Sequence, residues 1–458
     1  MQPRRSCPVV SSLLLPLLAM LCVATGALAQ RPNLLLVVTD DQRFDQMGCA
    51  GHPVLETPVM DRLAASGVRF DNAFVSTAIC AASRASILTG RREGRHGYTF
   101  GTEPMPKALA DQTYLRLLTD AGYRTGFVGK WGVRFEDGAL EGAIAYRKTP
   151  SPPYLGKQGE HLTDRLAGHA IEFLQQQDER PFCLTLSFHA PHAQDNHPDQ
   201  YIPPPALAGL YADAEVPLPP HADDGFAALP DFLQRSMGRE RWGWRFDTRD
   251  KQVRRTRDYW RMITGVDRAL GRVLEALAAS GHADDTVVIF TSDNGYFLGE
   301  RGLAGKWLIY EESIRVPLIV CDPRLPAERR GAVQHEMVLN LDLAPTLLAL
   351  AGVAAPGDYD GEDLMPLVRG ERLPWREDFL YEHRFDNPTI PKSVGVRGPR
   401  WVYACYDEQV PPYEQLFDLQ EDPAELHDLA RDPAHRETLQ TMRARCEELR
   451  GAPLPKVQ

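Results

Sequence analysis

Short apolar runs alternate with longer segments in which apolar residues recur every three or four positions. In the segment 33–38 every residue after Asn33 is apolar, which is typical of a strand buried on both faces. The same reasoning predicts further strands at residues 68–74, 124–128, 182–188, 286–291 and 316–321. The segment 151–245 is richer in proline and polar residues, and we interpret it partly as loop insertions around a cleft.

Helices are predicted between these strands. Thr57 and Pro58 form an N-cap and first-position proline pair, and a helix from there ends at Gly67. Gly90 similarly closes a helix over residues 81–89, and periodicity predicts others at 107–121, 162–177 and 252–279. This alternation predicts an α/β fold with helices on both faces of a large sheet. Ligands of such sheets bind at the carboxyl ends of the strands.

The pattern changes after Gly357. Short strands are predicted at residues 379–382, 393–397, 401–406 and 416–419 without helices between them, and a last helix covers 435–450. This segment predicts a smaller α+β domain with an antiparallel sheet. We therefore expect a large domain over residues 30–356 and a second one over 357–458.

The first 29 residues have the features of a signal peptide. Arg4 and Arg5 precede an apolar run over residues 9–23, and the sequence Ala27-Leu28-Ala29 fits a cleavage site. No later segment approaches 18 uncharged apolar residues, so no membrane span is expected after cleavage. The chain contains no N-x-S/T sequon, which favours a bacterial periplasmic or secreted protein over a eukaryotic one.

Composition narrows the class of protein. Of the 458 residues, 43% are hydrophobic and 25% charged, as in an ordinary soluble globular protein. The net charge of −11 argues against a nucleic-acid binder, although a cleft can still be locally basic. Six cysteines remain after residue 29, and their wide spacing indicates neither a disulfide scaffold nor a zinc site.

Acidic residues directly follow two of the predicted central strands. Asp40 and Asp41 follow the first, and Asp293 and Asn294 follow the strand at 286–291. Adjacent carboxylates repel each other unless a cation neutralises them. Oxygen donors suit a hard cation, so the two clusters together predict a calcium site.

A cysteine is predicted at the N-terminus of the helix at 81–89. The free N–H groups and the dipole of a helix attract anions at this position. The segment from Cys80 to Gly90 reads CAASRASILTG, which puts Ser83 and Arg84 on the same face as Cys80. Such a cysteine is typical either of an activated thiolate or of a buried structural position.

The segment resembles the signature of the formylglycine sulfatases, a family of the alkaline-phosphatase superfamily. That signature is Cys-x-Pro/Ala-Ser-Arg, three further residues and Leu-Thr-Gly, and Ala82 is the less common choice at its third position. The resemblance extends along nearly all of the chain after residue 29. It includes Arg31-Pro32-Asn33, Asp40-Asp41-Gln42, Gly129-Lys130-Trp131, Ala190-Pro191-His192, Asp293-Asn294-Gly295, Gly305-Lys306, Arg315-Val316-Pro317, Leu416-Phe417-Asp418-Leu419 and Asp422-Pro423.

The resemblance implies an alkaline-phosphatase-like fold and a calcium-dependent hydrolase of sulfate esters. A maturing enzyme would oxidise Cys80 to formylglycine, and the substrate would be a sulfated small molecule or saccharide. One hydroxyl of the hydrated aldehyde would attack sulfur, and the other would release sulfate. The implied roles are calcium binding by Asp40, Asp41, Asp293, Asn294 and modified Cys80, stabilisation of the hydrate by Arg84, sulfate binding by Lys130 and Lys306, and leaving-group protonation by His192.

One position departs from the family pattern. The family usually has histidine two residues after the first lysine, where it contacts the formylglycine hydroxyls, but this chain has Gly132. We expect His96 to line the cleft and replace that base, with His189 or a water molecule as alternatives. Two other functions stay open: a phosphonate or phosphodiester hydrolase with the same nucleophile, and a non-catalytic protein that binds sulfated glycans.

Overall fold

The strand predicted at 33–38 lies inside an eight-stranded sheet in the computed structural model, which describes residues 31–451 and Leu454. The signal peptide predicted at residues 1–29 lies outside the described residues. The strands are β1 (Asn33–Asp40), β2 (Val68–Phe70), β3 (Ala73–Phe74), β4 (Arg124–Gly129), β5 (Tyr146–Lys148), β6 (Phe182–Pro191), β7 (Thr286–Ser292), β8 (Phe297–Leu298), β9 (Ala304–Gly305), β10 (Leu318–Cys321), β11 (Ala332–Gln334), β12 (Val338–Leu339), β13 (Phe379–His383), β14 (Ser393–Arg397), β15 (Trp401–Tyr406) and β16 (Tyr413–Asp418).

Helices follow most of these strands. They are α1 (Pro58–Ser66), α2 (Cys80–Thr89), α3 (Glu93–His96), α4 (Lys107–Ala110), α5 (Tyr114–Asp120), α6 (Leu162–Leu174), α7 (Asp224–Ala228), α8 (Asp231–Gln234), α9 (Met237–Arg245), α10 (Arg249–Ala279), α11 (Glu311–Ile314), α12 (Leu343–Leu350), α13 (Met365–Arg369) and α14 (Arg436–Arg450).

The large sheet has the strand order β11-β2-β10-β7-β1-β6-β4-β5. Strands β7, β1, β6, β4 and β5 are mutually parallel, and β10 is antiparallel to both of its neighbours. Side chains of β1 alternate between two apolar clusters: Leu34 and Leu36 pack with α2, α5 and α12, whereas Leu35 and Val37 pack with α1, α6 and α10. The predicted α/β fold with helices on both faces is therefore confirmed.

Two predicted elements are each divided in two. The helix expected at 107–121 is interrupted because Thr113 begins a new helix, where its side chain accepts a hydrogen bond from the Arg116 N–H. The strand expected at 68–74 is broken between Phe70 and Ala73, so that β2 joins the large sheet and β3 pairs with β12. Both interruptions are short.

The last quarter of the chain forms the predicted antiparallel sheet. Strands β13, β14, β15 and β16 pair in sequence order, and α14 packs on them around an apolar cluster of their own. This cluster includes Val396, Tyr403 and Leu416. The boundary at residue 357 stays a prediction.

Among the described residues, no helix combines the length and the apolar character that a membrane crossing requires. The longest helix, α10, has 31 residues and a charged face.

Candidate active site

Four neighbouring parallel strands end at one edge of the sheet and bring their next residues together. Strand β1 ends at Asp40 and is followed by Asp41, while Asp293 follows β7. Lys130 follows β4, and His192 follows β6. The Asp293 N–H donates to the Thr39 carbonyl at 3.1 Å, which holds the ends of β7 and β1 together. The three carboxylates are almost fully buried, so the cluster needs cationic partners.

Helix α2 adds Cys80 to this cluster. Cys80 is the first residue of the helix, and its Sγ lies 3.4 Å from the Asp40 Oδ1. Lys306, which follows β9, places its Nζ 3.0 Å from the same sulfur and also contacts the Asp41 Oδ1. Lys130 contacts the other Asp40 oxygen, Oδ2. The two ammonium groups thus flank Cys80 and the adjacent carboxylates.

The environment of Cys80 does not favour a thiolate. Burial and the neighbouring Asp40 carboxylate raise the pKa of the Cys80 thiol to about 12, although Lys130 and Lys306 act in the opposite direction. A thiol with this pKa stays protonated near neutral pH, so the helix N-terminus does not produce the activated thiolate that sequence reasoning left open.

Arg84 connects helix α2 to the ends of the strands. Its Nε donates to the Asp293 Oδ2 at 2.7 Å, and its Nη1 donates to the Lys130 carbonyl at 2.7 Å and to the Ser187 Oγ at 2.5 Å. Ser83 was expected on the same face, but its Oγ accepts a hydrogen bond from Asn340 instead. Arg84 is thus the signature residue that faces the cluster together with Cys80.

Three of the five predicted calcium ligands, Asp40, Asp41 and Cys80, belong to a group of possible metal ligands that also includes His192. Ligand atoms of Asp40, Asp41, Cys80 and His192 all lie within 4.8 Å of one another. The side chain of Asn294 donates to the Asp41 Oδ1 at 2.6 Å, while its own Oδ1 is buried without a hydrogen-bond partner. A buried amide oxygen beside clustered carboxylates is a suitable additional donor for a hard cation.

The carboxylates of the cluster affect one another. Burial and the charge of Asp40 raise the pKa of Asp293 to about 6. Burial alone would also raise the pKa of Asp40, but Lys130, His192 and Arg84 hold it well below its usual value. The neighbouring cations therefore stabilise the charged form of Asp40. Burial and the charge of Asp40 disfavour the charged form of Asp293, which a further cation nearby would stabilise.

His192 presents one nitrogen to the cluster. Its Nδ1 lies 2.6 Å from the carbonyl of Ala193, so Nδ1 must carry the hydrogen, and Nε2 lies 3.7 Å from the Asp41 Oδ2. Burial lowers the pKa of His192, and Asp41 opposes this shift. The ring is thus fixed with Nε2 directed at the site. Because Nδ1 carries the hydrogen, Nε2 can donate a proton only when the ring is an imidazolium, a form that the Asp41 charge favours and burial opposes.

The structure does not bring His96 to this cluster. Its Nε2 lies 3.1 Å from the Ser86 Oγ, and its Nδ1 accepts the Tyr98 N–H at 3.0 Å, so both ring nitrogens are engaged. Ser86 lies six residues beyond Cys80, or about 9 Å along the helix. Burial lowers the pKa of His96 to about 3. The expectation that His96 lines the cleft as the replacement base thus finds no support in its contacts.

His189 lies in β6, and its carbonyl accepts the His192 N–H at 3.0 Å. Burial, with Lys130 next, lowers the pKa of His189 to about 3, and the charges of Asp40 and Arg84 also act on it. Its Nε2 lies 3.0 Å from the Pro150 carbonyl, which leaves Nδ1 as the other nitrogen. Of the two candidate histidines, only His189 is electrostatically coupled to the site.

The side chain of Arg84 passes so close to Gly132 that a side chain at position 132 would meet it. Gly132 has a φ of +73°, a left-handed conformation that disfavours other residues. A Cβ atom built on Gly132 would lie 2.7 Å from the Arg84 Cδ. The family histidine at this position would therefore require both backbone strain and movement of Arg84.

We expect Gly132→His to lower kcat/KM by at least about tenfold, because displacement of Arg84 weakens its contacts with Asp293 and Ser187. Steady-state assays with an aryl sulfate measure this effect. Gly138→Ala is the matched control, since Gly138 has the same φ of +73° but nothing within 4 Å of its Cβ position. A Gly132→His enzyme as fast as the wild type or faster would mean that the imidazole is a missing base and that the contact with Arg84 is unimportant.

Sequence reasoning missed Ser187. Its Oγ accepts from Arg84 and donates to the Lys130 carbonyl at 2.8 Å, so one buried hydroxyl links the Arg84 guanidinium to the backbone that follows β4. Residue 187 lies within a predicted strand, but its position opposite Val38 near the end of β1 depends on the strand register, which only the structure shows.

Comparisons with known proteins agree with this geometry. The family model "Sulfatase" matches residues 32–353, and the model "N-sulphoglucosamine sulphohydrolase, C-terminal" matches residues 299–452. An N-acetylglucosamine-6-O-sulfatase of Bacteroides thetaiotaomicron is 29% identical over 92% of this chain and 87% of its own length. Human arylsulfatase A is 30% identical over 82% of this chain and 74% of its own.

Solved structures show the same fold. A protein in complex with its substrate D-glucosamine-2-N,6-O-disulfate superposes with a TM-score of 0.80 at 25% identity, covering 92% of this chain and 98% of its own. The phosphonate monoester hydrolase of Agrobacterium radiobacter superposes with a TM-score of 0.77 at 23% identity, with coverages of 92% and 96%. At that identity the second likeness concerns the fold alone.

Proposed function

This chain belongs to the sulfatase family and is a sulfuric ester hydrolase, and we propose that it acts on sulfated saccharides, with oxidised Cys80 as nucleophile and calcium as its metal. The observation that carries the proposal is the contact of one helix-start cysteine with Lys306 and Asp40 at the edge of the sheet. Cationic and carboxylate groups meet there around a single reactive position, as the transfer of an anionic group requires.

The two lysines would bind the sulfate group. Lys306 contacts Cys80 and Asp41, and Lys130 contacts Asp40, so both ammonium groups lie beside the nucleophile. A sulfate ester presents negative oxygens around sulfur, and fixed cations stabilise the charge that grows on them during transfer. Both side chains are held by carboxylates, which positions them before substrate arrives.

Arg84 and His192 would act on two different groups, Arg84 on the nucleophile and His192 on the leaving group. Arg84, fixed by Asp293 and Ser187, would hold the nucleophile's oxygens in place. His192 directs Nε2 into the site, where it would protonate the leaving alcohol. This chain has Gly132 where the family has a histidine base. We propose that His189 supplies that base instead, because it lies in β6 shortly before His192 and its carbonyl accepts the His192 N–H.

Two groups complete the proposed site. Calcium, bound by Asp40, Asp41, Asp293, Asn294 and the modified Cys80, would neutralise the carboxylates and polarise sulfate oxygens. Formylglycine at position 80 would supply, as its hydrate, one hydroxyl to attack sulfur and a second to release sulfate. We further propose that a maturing enzyme modifies Cys80, and that residues 1–29 direct export from a bacterial cell.

A 6-O-sulfated amino sugar is the first substrate we propose. Two observations support this choice: a relative that matches most of this chain is an N-acetylglucosamine-6-O-sulfatase, and the structure with a TM-score of 0.80 contains a 6-O-sulfated glucosamine. When a 6-O-sulfate is transferred, the primary alkoxide of the sugar is a poor leaving group, which is the situation in which His192 is needed as a proton donor.

Parallel assays of the modified enzyme test the reaction class. We expect kcat/KM for an aryl sulfate to exceed that for the matched aryl phosphodiester and aryl phosphonate by about 100-fold, or about 2.7 kcal/mol. N-acetylglucosamine 6-O-sulfate should also release inorganic sulfate. Cys80→Ala protein, purified in the same way, accounts for contaminating sulfatases. Faster turnover of the phosphodiester or phosphonate would assign the enzyme to the alternative class, and binding without turnover of any substrate would favour the glycan-binding alternative.

A further inference from the structure

Two arginines of α9 share one carboxylate close to His192. Arg241 Nη2 donates to the Asp195 Oδ2 at 2.8 Å, and Arg245 contacts the Asp195 Oδ1. Asp195 lies three residues after His192. The two guanidinium groups and the one carboxylate together therefore carry a net charge of +1.

Helix α9 is also close to the sulfate-binding lysine. It packs against β9, which leads directly into Lys306. The Arg241 Cζ lies 5.0 Å from the ring centre of Trp307, the residue after Lys306. The pKa of Asp195, which burial by itself would raise, is lowered by Arg241, His192, Arg245 and Lys306. Arg241 thus contacts Asp195, which lies near the proposed proton donor His192. It also contacts Trp307, which follows the proposed sulfate ligand Lys306.

The two arginines differ in how their donors are used. Arg245 is fully buried, and its three nitrogens contact Gln200, Tyr296 and Asp195. The Arg241 side chain is 16% exposed. Among the described residues it donates only to Asp195, and its buried Nε has no partner. Arg245 therefore positions Asp195, while Arg241 has donors left for a ligand.

We infer that Arg241 binds an anionic substituent of the substrate sugar, a second sulfate or a uronate carboxylate, on the leaving-group side of the reacting sulfate. The inference rests on the proposed saccharide specificity. A guanidinium can donate two parallel hydrogen bonds to either group, and the cation–π contact with Trp307 helps to hold the Arg241 side chain in place. Arg241 then selects doubly charged saccharides, while the lysines bind the sulfate that reacts.

Paired substrates test this role in the modified enzyme. N-acetylglucosamine 6-O-sulfate is compared with glucosamine 2-N,6-O-disulfate, and separately with a 6-O-sulfated hexosamine joined to a uronic acid. For Arg241→Gln we expect kcat/KM to fall about 10- to 100-fold, mainly through KM, on the partner that carries the second anion. Activity on the singly sulfated sugar and on aryl sulfate should change by less than about twofold. The pair that responds identifies the second anion as sulfate or carboxylate.

Two variants serve as controls. Arg241→Lys keeps the charge without the paired donors, so it should recover only part of the loss. Arg235→Gln removes a guanidinium that is 73% exposed near the same helix. This variant should leave the ratio of kcat/KM between the doubly and the singly charged substrates unchanged. Equal losses on the singly and doubly charged substrates would overturn the inference, as would a wild-type enzyme without preference between them.

Calorimetry separates this inference from the proposed function. In Cys80→Ala protein, adding Arg241→Gln should weaken binding of the disulfated sugar and leave binding of the monosulfated sugar unchanged. This result would support Arg241 even if the wild type hydrolysed aryl sulfate and no saccharide. Equal binding of both sugars with and without Arg241 would overturn it.

Discussion

Replacement of Cys80 by alanine is expected to lower the turnover of every sulfate ester by about three orders of magnitude or more, because covalent catalysis is lost while the cationic site remains. The Cys80 thiol, with a pKa of about 12, is not itself a suitable nucleophile near neutral pH. Mass spectrometry of the peptide containing residue 80 should accordingly show loss of the thiol and gain of an aldehyde or its hydrate in the active wild type. Initial rates with an aryl sulfate measure the catalytic loss.

Cys183→Ala provides the matched control for this experiment. Cys183 is as deeply buried as Cys80, and burial likewise raises its pKa to about 12, but it lies in an apolar cluster and not at the active site. We expect this variant to lose stability through the cavity it creates and to keep its kcat. A Cys80→Ala enzyme with near wild-type turnover would overturn the proposed mechanism as a whole.

Replacement of Asp293 by alanine is expected to remove calcium and activity together, with a loss in kcat/KM of at least about 100-fold. Asp293 is fully buried, accepts a hydrogen bond from Arg84 and lies next to Asn294, whose Oδ1 is without a partner. Its removal therefore deletes one proposed metal ligand and releases the arginine that would hold the nucleophile. Metal content after dialysis and reconstitution is measured alongside turnover.

Asp267→Asn distinguishes this effect from the general cost of altering a buried acid. Asp267 is equally buried, but it accepts hydrogen bonds from the backbone N–H groups of Val59 and Met60 at the start of α1. This variant should be less stable yet retain stoichiometric calcium. Stoichiometric zinc in the wild type, with no response to calcium, would contradict the metal assignment.

Much of the fold could be predicted from local patterns in the sequence. An uninterrupted apolar run such as residues 34–38 has to be covered on both faces, and in parallel sheets helices on either side provide that cover. The burial of Leu34 and Leu35 in separate clusters is the result. Gly90 ends α2 where predicted, because its φ of +63° suits glycine.

Local patterns also located most of the proposed site. Asp40 ends β1, and Asp293 and Lys130 directly follow β7 and β4. Because parallel neighbours end at the same edge, the proximity of these residues could be expected before any coordinates. The motif around Cys80 indicated the sulfatase family, and the comparisons confirm that membership. The roles of the individual residues stay predictions that the variants above test.

Contacts between distant segments were beyond the sequence, because periodicity reports which face of an element is buried and not which residue it meets. Lys306 approaches Cys80 across 226 residues of chain. Ser187 joins Arg84 to the end of β4, and Gly132 leaves room for Arg84. His96 is close to the nucleophile in sequence, yet α2 leads the chain away from the site before His96 packs on Ser86. Sequence therefore determined the elements and the reactive motif, and only tertiary packing decided which side chains meet around them.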